Sequence, residues 1–206
     1  LVPLGNLKKN DTVLIHSAAG GVGIIANRIA KKFGAYTLGT VGDGSKIDFL
    51  REEGYNSVII RSPDFSDDLR NQLGDRSLNL VLECIGGKIF KDSFEALSPT
   101  GRIVAYGSAN FTPGSFRPNY LKVARDYLMR PMIDPLKMIS ENKSVLGFNL
   151  IWLWDKIEEM SGLFEEIRKL KLKPQYIGKI FPFEDAKDAL GYFQTGKSIG
   201  KIVLKI

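Results

Sequence analysis

The sequence predicts an α/β fold built on a doubly wound parallel sheet. Apolar strand patterns alternate with amphipathic helix patterns over the first half of the chain, which is typical of a sheet covered by helices on both faces. The first apolar run, 12–16, leads into a turn of small residues that begins a helix. Small residues also follow two later strands, at the edge where such sheets bind ligands. Together these observations predict a Rossmann-type sheet.

Each element follows from its local pattern. The helix at 22–33 precedes Gly34, which suits the left-handed conformation that closes many helices, and Ser45 is a candidate N-cap for the next helix. Further strands are expected at 36–41, 57–60, 78–84 and 102–107, and further helices at 45–53, 64–73 and 89–97. Four prolines interrupt the segment 110–135, where one helix is expected at 120–128. The remaining elements are a strand at 144–150, a helix at 155–172, a strand at 177–181, a helix at 183–195 and a strand at 200–206.

Composition restricts the possible functions. The 206 residues are 44% hydrophobic and 25% charged, as in ordinary globular proteins. The only cysteine, Cys84, and the only histidine, His16, argue against an internal disulfide and a Cys/His zinc site, and we expect a cytoplasmic protein. The net charge of +6 is dispersed along the chain, which argues against nucleic acid as the primary partner. We expect neither a transmembrane segment nor a signal peptide.

The turn after the first strand is a candidate phosphate site. Its pattern is Ala18-x-Gly20-x-x-Gly23, a dinucleotide fingerprint with alanine in place of the first glycine. Gly20 would lie against a pyrophosphate, and Gly23 would let the helix pack closely on the strand. The N–H groups at the start of the helix would point at the negative charge. The alternative is an ordinary tight turn whose glycines serve only steric needs.

The end of the second strand favours NADPH over NADH. NAD-binding folds place a carboxylate there to bind the ribose hydroxyls, whereas this chain has no carboxylate before Asp43. Two cations, Lys46 and Arg61, lie near the same predicted edge and suit the 2′-phosphate of NADPH. Two alternatives stay open: Lys46 is a solvated helix lysine, or Asp43 contacts the ribose hydroxyls.

The loops after the fourth and fifth strands contain Gly86-Gly87 and Gly107-Ser108, whose small size would let the second half of a dinucleotide pass. For either loop taken alone, ordinary turn chemistry is the favoured explanation. No catalytic residue is assigned. His16 and Cys84 lie at the ends of apolar strands, where packing or hydrogen bonding is the favoured role. Tyr106 is expected either to approach the nicotinamide or to pack in the core.

Several segments resemble the medium-chain dehydrogenase/reductase superfamily, in its zinc-independent quinone oxidoreductase branch. They are 7–23 (LKKNDTVLIHSAAGGVG), 39–41 (GTV), 101–107 (GRIVAYG), 147–150 (GFNL), 181–186 (FPFEDA) and 200–204 (GKIVL). Within the branch, 108–110 and 142–148 most resemble the vesicle amine transport protein group. The resemblance implies an NADPH-dependent reductase of quinones or other conjugated carbonyls that needs no metal.

The resemblance also implies a set of cofactor-binding positions. Those at the pyrophosphate are Ala19, Gly20, Gly21 and Val22; those at the adenosine ribose and its phosphate are Gly42, Lys46 and Arg61; those along the nicotinamide half are Gly86, Gly87, Tyr106, Gly107, Ser108, Phe148, Asn149 and Leu150. In family dimers, the strand that matches 144–150 pairs between subunits, so a homodimer is expected.

Family members carry an N-terminal catalytic domain that this chain is expected to lack. We therefore predict a dinucleotide-binding domain at 1–173 and a C-terminal part of the catalytic domain at 174–206. Two alternatives to the reductase are a non-catalytic nucleotide-binding interaction protein and an enoyl reductase module of a larger synthase. A peripheral association with membranes is also left open.

Overall fold

A computed structural model of the chain describes residues 1–111 and 119–206. Its main sheet has six parallel strands in the order β3-β2-β1-β4-β5-β6. The strands are β1 (Thr12–Ile15), β2 (Tyr36–Val41), β3 (Ser57–Ile60), β4 (Leu78–Glu83), β5 (Leu97–Ala105) and β6 (Ser144–Gly147). The order reverses between β1 and β4, so the crevice of a doubly wound sheet lies at their carboxyl ends.

Helices connect the strands. They are α1 (Gly21–Lys32), α2 (Ile47–Glu52), α3 (Phe65–Leu73), α4 (Gly87–Ala96), α5 (Tyr120–Leu128), α6 (Pro135–Glu141), α7 (Ile157–Lys169) and α8 (Ala186–Gln194). Short 3-10 turns precede α2, α7 and α8. Within the described ranges, no helix combines the length and apolar character that a bilayer crossing requires.

The sheet has an apolar core on each face. Val13 and Ile15 of β1 pack in one core with α1, while Leu14 packs in the other with Phe65 of α3. All four residues of β1 are buried because successive side chains of a strand point to opposite faces and helices cover both. This arrangement explains why the strand reads as an unbroken apolar run.

The predicted fold class and the order of its elements are confirmed, with local differences. Ser45 as an N-cap is wrong, because Asp43 caps a 3-10 turn by accepting the Ser45 N–H at 2.8 Å, and α2 begins only at Ile47. The sequence prediction missed α6, although Asp134 as N-cap and Pro135 at the first helical position are start signals. The expected irregular segment 110–135 lies partly outside the described residues, since 112–118 are not described.

Residues 177–205 form a small unit of their own. Strands β7 (Ile177–Pro182) and β8 (Lys201–Lys205) pair in parallel and are connected through α8. Ile177 and Ile180 on β7 are half-exposed or more. One of its contacts with the rest of the chain is made by Gly200, whose N–H donates to the Ala19 carbonyl oxygen at 2.7 Å. The residue that precedes β8 thereby lies beside the turn after β1.

Candidate cofactor site

The turn between β1 and α1 is compact and open at the start of the helix. The Gly20 N–H donates to the Ser17 carbonyl oxygen at 2.8 Å, and the Ala18 N–H bonds the Thr40 carbonyl oxygen at 3.0 Å. Among the described residues no side chain caps α1, its first turn has no acidic residue, and Val22 is 52% exposed. The positive end of the helix dipole therefore faces the sheet edge without a protein counter-charge.

Two glycines of this region are required by close contacts. A Cβ on Gly23 would lie 2.6 Å from the Ala18 carbonyl oxygen and 2.7 Å from the Ser17 carbonyl oxygen. A Cβ on Gly39 of β2 would lie 2.9 Å from the Ala18 Cβ. Gly23 thus has the packing role expected from the fingerprint, and the alanine at position 18 is accommodated by the glycine opposite it.

At the adenosine end the structure brings Gly42 and Arg61 together. Arg61 follows β3, and its Nη1 donates to the Thr40 Oγ1 at 3.1 Å. A Cβ on Gly42 would lie 3.1 Å from Arg61 Nη2, so the guanidinium passes directly beside this glycine. Burial lowers the pKa of Arg61, and the nearby Cys84 and Glu83 act in the opposite direction. The end of β2 therefore carries a fixed cation where NAD-binding folds place a carboxylate.

Lys46 is buried rather than solvated. Only 7% of it is exposed, and its Nζ donates to the carbonyl oxygens of Gly196 and Ser198 at 2.5 and 2.9 Å. The description of Lys46 as a solvated helix lysine is therefore wrong. Burial lowers its pKa, while neighbouring Asp43 raises it. The bond from Ser45 keeps the pKa of the exposed Asp43 carboxyl below its usual range.

A buried chain of hydrogen bonds lies beneath this end of the site. His16 is fully buried, its Nδ1 lies 2.9 Å from the Thr40 Oγ1, and its Nε2 lies 2.9 Å from the Ser93 Oγ. Burial and the nearby Arg61 charge lower the pKa of His16 to about 3. His16 therefore has the hydrogen-bonding role expected of it and is neutral at physiological pH.

At the other end of the crevice a buried carboxylate organises the loop after β4. Glu83 Oε1 accepts the N–H groups of Ile85 and Gly86 at 2.8 and 2.9 Å. Burial raises the pKa of Glu83, while these two bonds and the Arg61 charge oppose that rise. Gly86 and Gly87 follow with φ of +86° and +58°, conformations that favour glycine.

The loop after β5 is tied to the loop after β4. The N–H groups of Ala109 and Asn110 donate to the carbonyl oxygens of Cys84 and Ile85 at 2.9 and 3.0 Å. A Cβ on Gly86 would lie 3.1 Å from Ser108 Oγ, so these two predicted residues are neighbours. Gly107 is exposed beside Cys84, to which a Cβ on Gly107 would come within 3.2 Å.

Tyr106 and residues 148–150 complete the predicted set. Tyr106 packs against the core, and its pKa lies above the ordinary range because of burial and its contact with Cys84. Phe148 and Leu150 are exposed beyond the end of β6. The Asn149 Oδ1 accepts the Ile151 N–H at 3.1 Å and caps the following 3-10 turn. These residues share the carboxyl edge because β6 lies next to β5.

Sequence reasoning missed two residues of this region, namely Glu83 and Lys201. A Cβ on Gly21 would lie 2.5 Å from Lys201 Cε and 3.1 Å from its Nζ, so the lysine side chain covers the first residue of α1. Glu83 could have been found from the sequence, since an acidic residue at the end of an apolar strand is expected to be buried and to need a hydrogen-bonding partner. Lys201 gave none, because it is distant from the turn in sequence.

The described residues do not fit a zinc ion. Both ring nitrogens of His16 are engaged by hydroxyl groups. Residues 1–111 and 119–206 contain no group of three or more His, Cys, Asp or Glu side chains that could hold a metal.

A doubly wound parallel sheet with a small-residue turn at its switch point defines the Rossmann type of domain. The model of the zinc-binding dehydrogenase family matches residues 55–204, and the chain belongs to this family as a cofactor domain of the medium-chain dehydrogenase/reductase superfamily.

The chain is also similar to several named proteins, in sequence or in fold alone. The human synaptic vesicle membrane protein VAT-1 homolog is 30% identical over 209 residues, which cover 99% of this chain and 52% of the relative. The mycobacterial protein Rv1454c, solved in complex with NADPH, superposes with a TM-score of 0.77 at 23% identity over all of this chain and 60% of that one. The quinone oxidoreductase from Thermus thermophilus, also solved with NADPH, has a TM-score of 0.73 at 22% identity over 98% of this chain and 60% of that one. The chain thus spans about half the length of the curated relative.

The first prediction concerns the two glycines at the start of α1. Gly23→Ala forces a Cβ against backbone atoms, so we expect a loss of about 1–3 kcal/mol in the free energy of unfolding, as for overpacked cores. Gly21→Ala is the matched control, since it meets only the flexible end of Lys201. Urea unfolding of both variants measures the difference, and equal losses would contradict this account.

The second prediction concerns the pH dependence of stability. The pKa of His16 is about 3 in the folded chain and about 6.5 when unfolded, so between these values the unfolded state binds more protons. Stability therefore falls as the pH is lowered through this window, by about 1.4 kcal/mol per pH unit from this residue. Urea unfolding at pH 7 and pH 5 should show this component in the native chain. His16→Gln should lack it, and an unchanged slope in that variant would refute the assignment.

Proposed function

We propose that this chain binds NADPH across the carboxyl edge of its sheet, as the cofactor domain of a reductase of quinones or other conjugated carbonyls. The observation that carries the proposal is the Arg61 guanidinium, fixed beside Gly42 at the end of β2. A carboxylate at this point would repel a 2′-phosphate, whereas a guanidinium binds phosphate oxygens through several N–H donors. Two of the similar structures are described as NADPH complexes, which supports the same cofactor.

The pyrophosphate would bind at Ala19, Gly20, Gly21 and Val22. The uncapped start of α1 offers N–H groups and a positive dipole end to an anion. Lys201 lies over Gly21 and would add a full positive charge at the same point. No acidic side chain in the first turn of α1 competes for these groups.

At the adenosine ribose, Lys46 would assist Arg61. Its ammonium has three N–H donors, and the carbonyl oxygens of Gly196 and Ser198 take two of them. The remaining donor suits a phosphate oxygen. The Asp43 carboxylate is the group that would bind ribose hydroxyls here, but it is exposed and one of its oxygens already accepts the Ser45 N–H. We therefore assign the 2′-phosphate, rather than the ribose hydroxyls, to this side of the crevice.

The nicotinamide half would follow the loops after β4, β5 and β6. Gly86, Gly87, Gly107 and Ser108 present little side-chain bulk there, and Phe148, Asn149 and Leu150 flank the path. When bound, the nicotinamide supplies the hydride, and the protein supplies orientation and electrostatics. The raised pKa of Tyr106 keeps its hydroxyl protonated, so Tyr106 would donate a hydrogen bond or pack rather than act as a base.

We assign residues 1–173 to the cofactor domain and 174–206 to a segment that packs on a catalytic domain. The exposed apolar side chains of β7, with those of Phe193 on α8 and Leu204 on β8, support this division. A second domain would then form the other wall of the substrate crevice.

A role in nucleotide binding without catalysis is the second candidate, because Glu83, Cys84 and Tyr106 are all engaged within the fold. Oxidation of NADPH in the presence of a quinone, assayed with a version of the chain that also carries the catalytic domain, separates the two.

The third prediction tests the cofactor. Titration of the chain, followed by nicotinamide fluorescence, should show tighter binding of NADPH than of NADH. Arg61→Leu should weaken NADPH binding by about tenfold or more with little effect on NADH, since one charged contact contributes about 1.5–3 kcal/mol. Lys46→Met should act in the same direction.

Lys201→Met is the matched control for that titration. Lys201 lies at the pyrophosphate turn, which both cofactors share, so its loss should weaken NADPH and NADH to the same extent. If the native chain binds NADPH and NADH with equal affinity, the phosphate assignment is contradicted. If it binds neither, the dinucleotide proposal is contradicted.

The fourth prediction concerns the oligomer. We propose a homodimer in which β6, the edge strand of the sheet, pairs with β6 of a second copy. Light scattering should then give twice the chain mass of 22.9 kDa. Ser144→Lys places like charges across the paired edges and should shift the equilibrium to monomer, while Asn71→Lys on α3 is the charge-matched control. A native chain that stays monomeric at high concentration would exclude this arrangement.

A further inference from the structure

We propose that Thr40 sets the cofactor preference of this site by holding the Arg61 guanidinium in place, with His16 fixing the direction of the Thr40 hydroxyl. The inference rests on the proposed function, because it takes Arg61 as the group that meets the 2′-phosphate. Thr40 is a positioning residue here and touches no ligand itself.

Geometry places the three side chains in one continuous chain. Thr40 and His16 have no exposed surface, and Arg61 reaches down to the Thr40 Oγ1 from the end of β3. His16 lies on the other side of the same hydroxyl and continues to Ser93 on α4. A buried hydroxyl between two fixed partners has little freedom to reorient.

The donors and acceptors assign the protons of the bonds that join Arg61, Thr40, His16 and Ser93. Arg61 has only N–H donors, so the Thr40 Oγ1 accepts its bond. The one hydroxyl proton of Thr40 is then free to be donated to His16 Nδ1, which makes Nδ1 the acceptor nitrogen of the ring. His16 therefore carries its proton on Nε2 and donates it to Ser93 Oγ. The opposite tautomer would leave the buried Thr40 proton without an acceptor in this chain.

Thr40 matters because Arg61 has a competing partner. Burial lowers the pKa of Arg61, while Cys84 and Glu83 at the end of β4 oppose that shift, so both lie near enough to act on the guanidinium charge. Glu83 Oε1 already accepts two backbone N–H groups there. Without the Thr40 hydroxyl, attraction to this buried carboxylate would draw the guanidinium toward β4. The bond to Thr40 keeps the guanidinium beside Gly42, on the side of the crevice where the ribose phosphate would lie.

The test compares two substitutions at position 40. Thr40→Val keeps the shape of the side chain and removes the hydroxyl, so we expect NADPH affinity to fall about tenfold with NADH affinity unchanged. Thr40→Ser keeps the hydroxyl and should retain the native ratio of the two affinities. Thr37→Val is the matched control, because Thr37 is equally buried in β2 but distant from the carboxyl edge.

Outcomes separate this inference from the proposed function. If Arg61→Leu abolishes the preference for NADPH while Thr40→Val leaves it intact, Thr40 does not position Arg61 and only the proposed function stands. If Thr40→Val weakens both cofactors equally, or Thr37→Val changes the ratio as much, the role of Thr40 is structural and the inference is overturned. A native chain without any preference overturns both. Selective loss in Thr40→Val with retention in Thr40→Ser supports the inference.

Discussion

The rest of the site depends on one close backbone contact, between the Ser17-Ala18 turn and α1 at Gly23. Only a hydrogen atom fits there, since any Cβ would come within 2.7 Å of main-chain atoms. This contact aims the start of α1 at the carboxyl edge of the sheet. It also places the Gly23 carbonyl oxygen within 2.9 Å of the buried Tyr55 hydroxyl, which satisfies a group that would otherwise be costly to bury.

Polar groups beneath the crevice are as constrained as the backbone above them. Burial disfavours the charged forms of His16 and Glu83. Both ring nitrogens of His16 are nevertheless hydrogen-bonded, and Glu83 accepts two backbone N–H groups. In the low dielectric of the interior such hydrogen bonds are strong, and a buried polar group that lacks one lowers the stability of the fold. These bonds constrain the side chains and loops at this edge, which would reduce the entropy that binding of a ligand must overcome.

Sequence patterns predicted the fold well where the signal was local. Strands β1 to β4 lie within one residue of their expected bounds, because apolar runs and helix-ending glycines such as Gly34 act over a few residues. The regular part of β5 does begin at Arg102 as expected, but an irregularity extends the strand back to Leu97. Lys46 could not be predicted in the same way. Its charge is evident from the sequence, but its hydrogen-bond partners lie 150 and 152 residues further along the chain.

Those distant partners give the C-terminal unit a part in the crevice. Gly196 and Ser198 hold Lys46, Gly200 bonds Ala19, and Lys201 covers Gly21, so one short segment touches both phosphate positions proposed for the cofactor. A cation beside the positive end of a helix dipole is unfavourable unless an anion lies between them. A dinucleotide would relieve that repulsion and thereby strengthen the docking of β8. If the chain binds a dinucleotide as proposed, cofactor binding and the attachment of the C-terminal unit would be coupled, and by reciprocity whatever packs on that unit would affect cofactor affinity.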